Sequence, residues 1–396
     1  MDMMTGFATP DYSSPENPAL RQQLLDDARD LVPILKKRVA ASERNRAVPD
    51  ETIHDLQVRR LLDVCKPTQF GGFALGWDVL CEIAMILAEG CGSTAWLYAV
   101  FAEHNNMLTM WSREAQEEVW QEFPDAKIAS SKAKTAKLIK ADGGYRVSGL
   151  ATFSSGSHYA DWFLSAFVPV EDGGMAFILL PKEDVTVLDT WHAMGMAGTC
   201  TNDIEIRDTF VPEHRAFVAG QQPPGWGVHK EPVFRQPRFS MGPYTLASVC
   251  VGIAGGFIEE YVGYMRSRVS RFGDAVADFQ SLQLRVAESS AEYDAAKLMV
   301  LHNMRQTMDY LADGEVPQDI QARNKRDMAY CPNLALRAVD RLFYAGGTMV
   351  RMEENELQRK FRDIQTAASQ FFLNWDVNGT LFGRQSLGLD VEMPNF

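Results

Sequence analysis

The stretch Tyr145-Arg-Val-Ser-Gly-Leu-Ala-Thr-Phe-Ser-Ser-Gly-Ser-His-Tyr-Ala-Asp-Trp162 is the part of the chain whose reading decides its fold. It follows the turn triplet Asp142-Gly143-Gly144, runs as β-rich sequence, and breaks at Ser154-Ser155-Gly156 into a cluster of turn formers. A second β-rich run, Trp162-Phe163-Leu164-Ser165-Ala166-Phe167, begins directly afterwards. With Ile204-Glu205-Ile206 and the turn Asp172-Gly173-Gly174, these segments predict a small domain of several antiparallel strands across residues 126–217. Taken alone, Ser-Ser-Gly is an ordinary hairpin turn.

Outward from this region the period changes. On the N-terminal side, Leu20, Leu24, Leu25, Ala28, Leu31 and Leu35 recur at helical spacing, with Pro33 expected to kink the helix. Asp50 behind Pro49 reads as the cap of a second helix, Gly71-Gly72 as a break, and residues 77–89 and 93–111 as two more helices. On the C-terminal side, a Pro/Gly-rich linker at 221–237 precedes helical periodicity over 247–265, 279–313 and 329–346. The expected organisation is an α+β, mostly α chain: a flexible leader (1–17), an N-terminal helical domain (18–124), a central β-domain (125–220), a linker (221–240) and a C-terminal helical bundle (241–396). Helical layers on either side of a β-domain leave a cleft at their junction, the usual seat of a cofactor.

Composition narrows the function classes. The hydrophobic fraction is 46% with 23% charged residues, as in a soluble globular protein, and no apolar run is expected to reach the ~18 to 20 residues that span a bilayer. Lys+Arg 39 against Asp+Glu 52 gives −13, which opposes nucleic-acid binding, so Lys132, Lys134, Lys137 and Lys140 read as a solvated strand face. Cys65, Cys81, Cys91, Cys200, Cys250 and Cys331 show no metal-ligand or disulfide spacing. Reduced, buried thiols in a cytoplasm are the expectation, and the polar N-terminus lacks the pattern of a secretory signal. No Gly-x-Gly-x-x-Gly follows a strand, so no nicotinamide site is implied; Gly-x-Ser-x-Gly and His-Glu-x-x-His are absent as well.

The 145–162 stretch resembles the flavin-facing strand pair of the acyl-CoA dehydrogenase superfamily. The resemblance continues through Gly195-Met-Ala-Gly-Thr-Cys-Thr-Asn-Asp-Ile-Glu-Ile-Arg-Asp-Thr-Phe-Val-Pro212, Arg271-Phe-Gly-Asp-Ala-Val-Ala-Asp-Phe-Gln280, Tyr344-Ala-Gly-Gly347 and Phe361-Arg-Asp363. Cys91-Gly-Ser-Thr-Ala-Trp-Leu-Tyr-Ala-Val-Phe-Ala-Glu-His104 looks like the oxygenase branch, the group that includes p-hydroxyphenylacetate hydroxylase and the secosteroid phenol hydroxylases. That resemblance implies the oxygenase component of a two-component monooxygenase. A separate NAD(P)H-dependent reductase would supply reduced flavin, FMN ahead of FAD, and molecular oxygen added at flavin C4a would pass to a small aromatic substrate. A homotetramer is implied too.

Particular residues acquire roles on that footing. Phe153 would pack on the flavin face, and Ser154 and Ser155 would bond its edge. Arg271 beside Phe272 would clamp a phosphate from a neighbouring subunit. Trp96, Val100, His104 and Leu108 share one apolar face, which puts His104 in reach of substrate as an acid, base or hydrogen-bonding group. Trp96, Phe101 and Phe371 would line the pocket. Gln370 stands where many oxygenases have a histidine, and an amide can donate a hydrogen bond without supplying a proton. Glu354, eight residues before Arg362, raises an alternative: an acyl-CoA dehydrogenase-like enzyme using it as base. Hydroxylation at an amine nitrogen and a binding module without chemistry are further alternatives.

Overall fold

In the computed structural model, which describes residues 17–391, β3 (Gly144–Ser154) lies inside an eight-stranded sheet. The others are β1 (Ile128–Ala133), β2 (Lys137–Ala141), β4 (Trp162–Pro169), β5 (Met175–Pro181), β6 (Val185–Val187), β7 (Asn202–Pro212) and β8 (Ala216–Val218). The order is β6-β7-β3-β1-β4-β5-β8, with β2 also paired to β3. Every named pairing is antiparallel except β1 with β4. The parallel pair arises because the 155–161 turn carries the chain across the end of β1, which lies between β3 and β4.

Helices flank the sheet in sequence: α1 (Pro18–Asn45), α2 (Asp50–Val58), α3 (Trp77–Gly90), α4 (Gly92–Met107) and α5 (Arg113–Glu122) before it. After it come α6 (Arg238–Met241), α7 (Tyr244–Arg266), α8 (Gln280–Asp313), α9 (Gln318–Ala345), α10 (Glu356–Ala367) and α11 (Trp375–Ser386). The leader expected at residues 1–17 lies outside the described residues apart from Asn17, whose side chain caps α1. Helix α1 continues through Pro33, Asp50 is the first residue of α2 rather than its cap, and α9 starts at Gln318 and runs through Pro332.

One apolar core joins α1, α3, α4, α7, α8, α9 and α10. Helix α7 is its axle: Tyr244, Phe257 and Tyr261 are fully buried, each contributing about 1.5–3 kcal/mol by leaving water. Its 23 residues are long and apolar enough to cross a membrane, against the expectation from sequence, and 72% of the apolar window is buried inside the fold. That burial is the property of a core helix.

Strands β1, β4 and β5 carry apolar residues on both faces. Ala129, Phe163, Ile178 and Leu180 belong to one cluster, while Ile128, Trp162, Leu164 and Leu179 belong to another that includes Leu108, Trp111, Val119 and Trp120. Period-two alternation thus lets one sheet bury its own interior and still seat on the end of α4 and on α5. The four lysines at 132, 134, 137 and 140 are exposed, and all six cysteines are free and buried.

Candidate active site

The end of β3 is irregular for a definable reason. Ala151 pairs with Ile204 and Ser154 with Asn202, so three steps on β3 oppose two on β7, a β-bulge. The extra residue takes up the kink: Phe153 has φ 59 and its side chain is 66% exposed. Its N–H donates to Asp203 Oδ1 at 3.3 Å. Ser154 beside it is fully buried, its Oγ without a hydrogen-bond partner among the described residues. Ser155 is held from two directions. Trp96 Nε1 donates to its Oγ at 3.1 Å, its Oγ lies 2.9 Å from Thr201 Oγ1, and Thr201 Oγ1 lies 2.7 Å from Thr199 Oγ1. Thr199 donates in turn to the Met196 carbonyl at 2.8 Å. Gly156, at φ +79, has no room for a side chain: a Cβ would stand 2.4 Å from Phe101 Cζ. The turn is pressed onto α4 at that point, and Gly156 N–H donates to Thr199 O at 2.9 Å.

Helix α4 is nearly encased; of its residues only Glu103 and Met107 are not buried. The traces of exposure fall on one stripe: Trp96 8%, Val100 8% and His104 6%, with Glu103 and Met107 beside them. That spacing is one helix face, and Trp96 on it bonds Ser155. Phe101, expected as a pocket wall, is 1% exposed and belongs to the core.

His104 Nδ1 lies 2.6 Å from the Ile128 carbonyl, which can only accept, so Nδ1 carries the proton and Nε2 is left as an acceptor. Burial pushes this imidazole down to about 4, partly offset by that bond and deepened by Arg238. It is therefore neutral near pH 7. Glu103 behaves oppositely: burial pushes its carboxyl up to about 7 against the bond from Thr245 Oγ1 (2.7 Å) and the charge of Arg238. Arg238 itself is lowered to about 10 by burial and donates to Asn106 O at 2.8 Å. Glu103 lies in the Cys91–His104 stretch and Thr199 and Thr201 in the Gly195–Pro212 stretch that carry the resemblance, but the sequence alone assigned them no role, and Arg238 stands outside both.

Helix α10 closes the other side. Gly195 approaches the backbone so closely that a Cβ would stand 2.1 Å from Arg362 O. Arg362 NH1 donates to Met194 O at 2.5 Å, and the Met196 N–H donates to Asp363 Oδ1 at 2.5 Å. The Phe361-Arg-Asp363 segment thereby positions the loop that leads to Thr199 and Thr201. Past its end, Gln370 Oε1 accepts from Phe372 N at 2.7 Å, which commits its oxygen and leaves its NH2 as donor. Phe371 is 69% exposed with Lys132 Nζ 5.2 Å from its ring centre. Lys132 pairs in register with Thr152, the residue before Phe153. The structure therefore brings Trp96, Phe153, Ser155 and Phe371 around the bulged end of β3.

Arg271 and Phe272 do not join them within the chain. They sit on an exposed turn between α7 and α8, stabilised by Phe272 N–H and Asp274 N–H donating to Ser270 Oγ, and Phe272 is 90% exposed. Glu354 is exposed in a turn before α10, not buried as a base facing a flavin would be.

Comparison with known proteins follows the same lines. Residues 244–375 match the acyl-CoA dehydrogenase C-terminal domain family. The chain is 33% identical over 376 residues to the oxygenase component of an FADH(2)-dependent resorcinol hydroxylase from Rhizobium sp., covering 90% of this chain and 92% of that protein. It is 30% identical over 378 residues to the oxygenase subunit HsaA of a flavin-dependent monooxygenase from Mycobacterium tuberculosis, covering 93% and 96%. Among solved structures it is similar to XiaF from Streptomyces sp. in complex with FADH2 and glycerol, with TM-score 0.89 and 28% identity over 96% of this chain and 98% of that one.

Proposed function

The chain belongs to the oxygenase components of two-component flavin-dependent monooxygenases, built on the acyl-CoA dehydrogenase fold, and from that premise we propose that it hydroxylates a small phenol whose hydroxyl is held by His104. Reduced flavin is the cofactor and molecular oxygen the co-substrate. The residues fit such a group: an exposed aromatic ring on a bulge, a hydroxyl fixed beside it, and a second exposed ring across from both. When bound, reduced flavin supplies two electrons to oxygen, one atom of which enters the substrate while the other leaves as water.

The chain's own groups divide the remaining work. Phe153 packs on the flavin face and Ser155 bonds its edge. Trp96 and Val100 wall the space between that edge and His104. His104, neutral with Nε2 as acceptor, takes the phenolic proton or polarises the hydroxyl, making the ring carbon more nucleophilic. Gln370 donates from its NH2, and Phe371 shields the opening. Arg271 reaches flavin phosphate from a neighbouring copy. That placing goes with a homotetramer, and the exposure of the apolar side chains of Phe272, Tyr344 and Leu387 on a single chain supports it. A separate NAD(P)H-dependent reductase supplies the flavin, and six unpaired buried cysteines accord with a cytoplasmic setting.

The observation that carries this reading is the single stripe on α4. Trp96 bonds the flavin-facing turn, and His104 lies eight residues further on the same face, about 12 Å along the axis.

The test is product formation from resorcinol-type phenols under labelled oxygen, with reduced FMN and reduced FAD supplied in turn by an added reductase. A product one labelled oxygen heavier is expected, reduced roughly 10²-fold or more in His104→Asn while that variant still binds flavin. Oxidation of the flavin with no phenol hydroxylated by the native chain would overturn the substrate class. Undiminished hydroxylation in His104→Asn would overturn the role of His104.

A further inference from the structure

We propose that the hydroxyl chain behind Ser155 fixes the direction of its proton, so that Ser155 can only accept from the flavin edge, and that this biases the site toward reduced flavin. The inference rests on the reading that Ser155 faces the flavin.

Each bond in the chain has a determined polarity. A backbone carbonyl only accepts, so Thr199 spends its one hydroxyl proton on Met196 O. The 2.7 Å contact between Thr199 and Thr201 must then carry the proton of Thr201. The 2.9 Å contact between Thr201 and Ser155 must in turn carry the proton of Ser155. An indole N–H only donates, so Trp96 occupies one lone pair of Ser155 Oγ. One lone pair is left and no proton.

The anchor of this chain is rigid. The Met196 N–H is held by buried Asp363, Gly156 N–H by Thr199 O, and Ser157 Oγ–H by Cys200 O. Gly198 is packed so tightly that a Cβ would lie 3.0 Å from Ser93 Cβ. Rotating one hydroxyl would strand the next one in a buried site, which costs more than a bond gained at one end.

Flavin chemistry makes the polarity matter. In the oxidised ring N5 is a bare nitrogen, an acceptor; two-electron reduction with proton uptake converts it to N5–H, a donor. An acceptor-only Ser155 bonds the reduced edge and meets the oxidised edge lone pair to lone pair. Product flavin would be released after turnover and reduced flavin retained, which suits a component that receives its flavin already reduced. Thr199, Thr201 and Trp96 are positioning residues in this scheme, acting through Ser155.

The experiment measures dissociation constants for oxidised and reduced FMN, and for oxidised and reduced FAD, by anaerobic titration of the whole chain and its variants. Thr201→Val removes the acceptor for the Ser155 proton and frees Ser155 to donate. The ratio of oxidised to reduced dissociation constants should fall roughly five- to tenfold, the scale of one net hydrogen bond. The potential of bound flavin should move about 20 to 30 mV more negative for this two-electron couple. Thr201→Ser, which keeps the hydroxyl, should retain the native ratio. Thr199→Val carries the same expectation as Thr201→Val, because it removes the link to the carbonyl, and it serves if Thr201→Val does not fold. A native ratio in the valine variants overturns the proposal. Ser155→Ala separates the two layers. If it changes the ratio while the valine variants do not, Ser155 touches flavin and the proton lock alone fails. If it leaves both constants unchanged, Ser155 does not touch flavin and the placement fails with the lock.

Discussion

His104→Asn removes a titrating ring from the interior while keeping an amide N–H that can reach the Ile128 carbonyl. The folded imidazole lies at about 4 against 6.5 for the free group, burial being the largest cause. A histidine lowered in the folded state binds fewer protons there than in the unfolded chain, so stability is fully present above about pH 6.5 and is lost as pH falls toward 4. Applied to this shift, the linkage relation takes about 2 kcal/mol from the native chain between pH 7 and pH 5. The asparagine variant has no such loss, and the packing it forfeits costs the same at both pH values. Urea unfolding of flavin-free native and variant chains, at equal concentration and at pH 7, 6 and 5, should therefore show the stability difference moving by about 2 kcal/mol in favour of the variant at pH 5. Parallel pH dependences would refute the reasoning. They would mean that His104 protonates freely in the fold, and the neutral imidazole assigned to the phenol would not be the resting form in mildly acidic solution.

Two other perturbations test the frame around the site. Gly156→Ala places a methyl 2.4 Å from Phe101 Cζ at φ +79; strain and overpacking together should cost about 2–4 kcal/mol, read as a lowered melting temperature, with part recovered by adding Phe101→Leu. Asp363 is pushed up to about 6 by burial despite the Met196 N–H it accepts. A carboxyl raised in the folded state is stabilised by protonation as pH falls through 6, so Asp363→Asn should gain stability over the native chain as pH rises from 5 to 8. A flat difference across that range would show that the carboxyl is not desolvated.

Much of the architecture was legible because it rests on period. The 3.6-residue pattern around Leu24, Leu31 and Leu35 and the β-rich runs from Tyr145 and Trp162 are local properties, and the structure buries those residues accordingly. Phe153 and Ser155 were named for a different reason, their place in a recognisable string. The connections between them were not. Trp96 meets Ser155 across 59 positions, and Met196 meets Asp363 across 167; no local pattern encodes such pairs. The bulge that turns Phe153 outward depends on the register of β7, which β3 alone does not reveal. Phe101 was misassigned because α4 is apolar nearly all round, and periodicity then cannot separate a pocket wall from core.

The amide at position 370 bears on where protons are kept. Gln370 has its oxygen committed to Phe372 N and neither holds nor releases a proton. On α4, Glu103 and His104 are sequence neighbours whose surroundings displace them in opposite senses, to about 7 and about 4. Burial drives both shifts, because it disfavours whichever form is charged. The usual order of acid and base is thereby inverted. Near pH 7 the carboxyl is protonated about half the time, and the imidazole is unprotonated with Nε2 as acceptor. A phenolic proton stored at His104 would leave an imidazolium that burial disfavours, which favours polarising the hydroxyl at Nε2 over holding its proton. Glu103, bonded to Thr245 on α7, exchanges a proton near pH 7, a capacity that an amide at position 370 lacks.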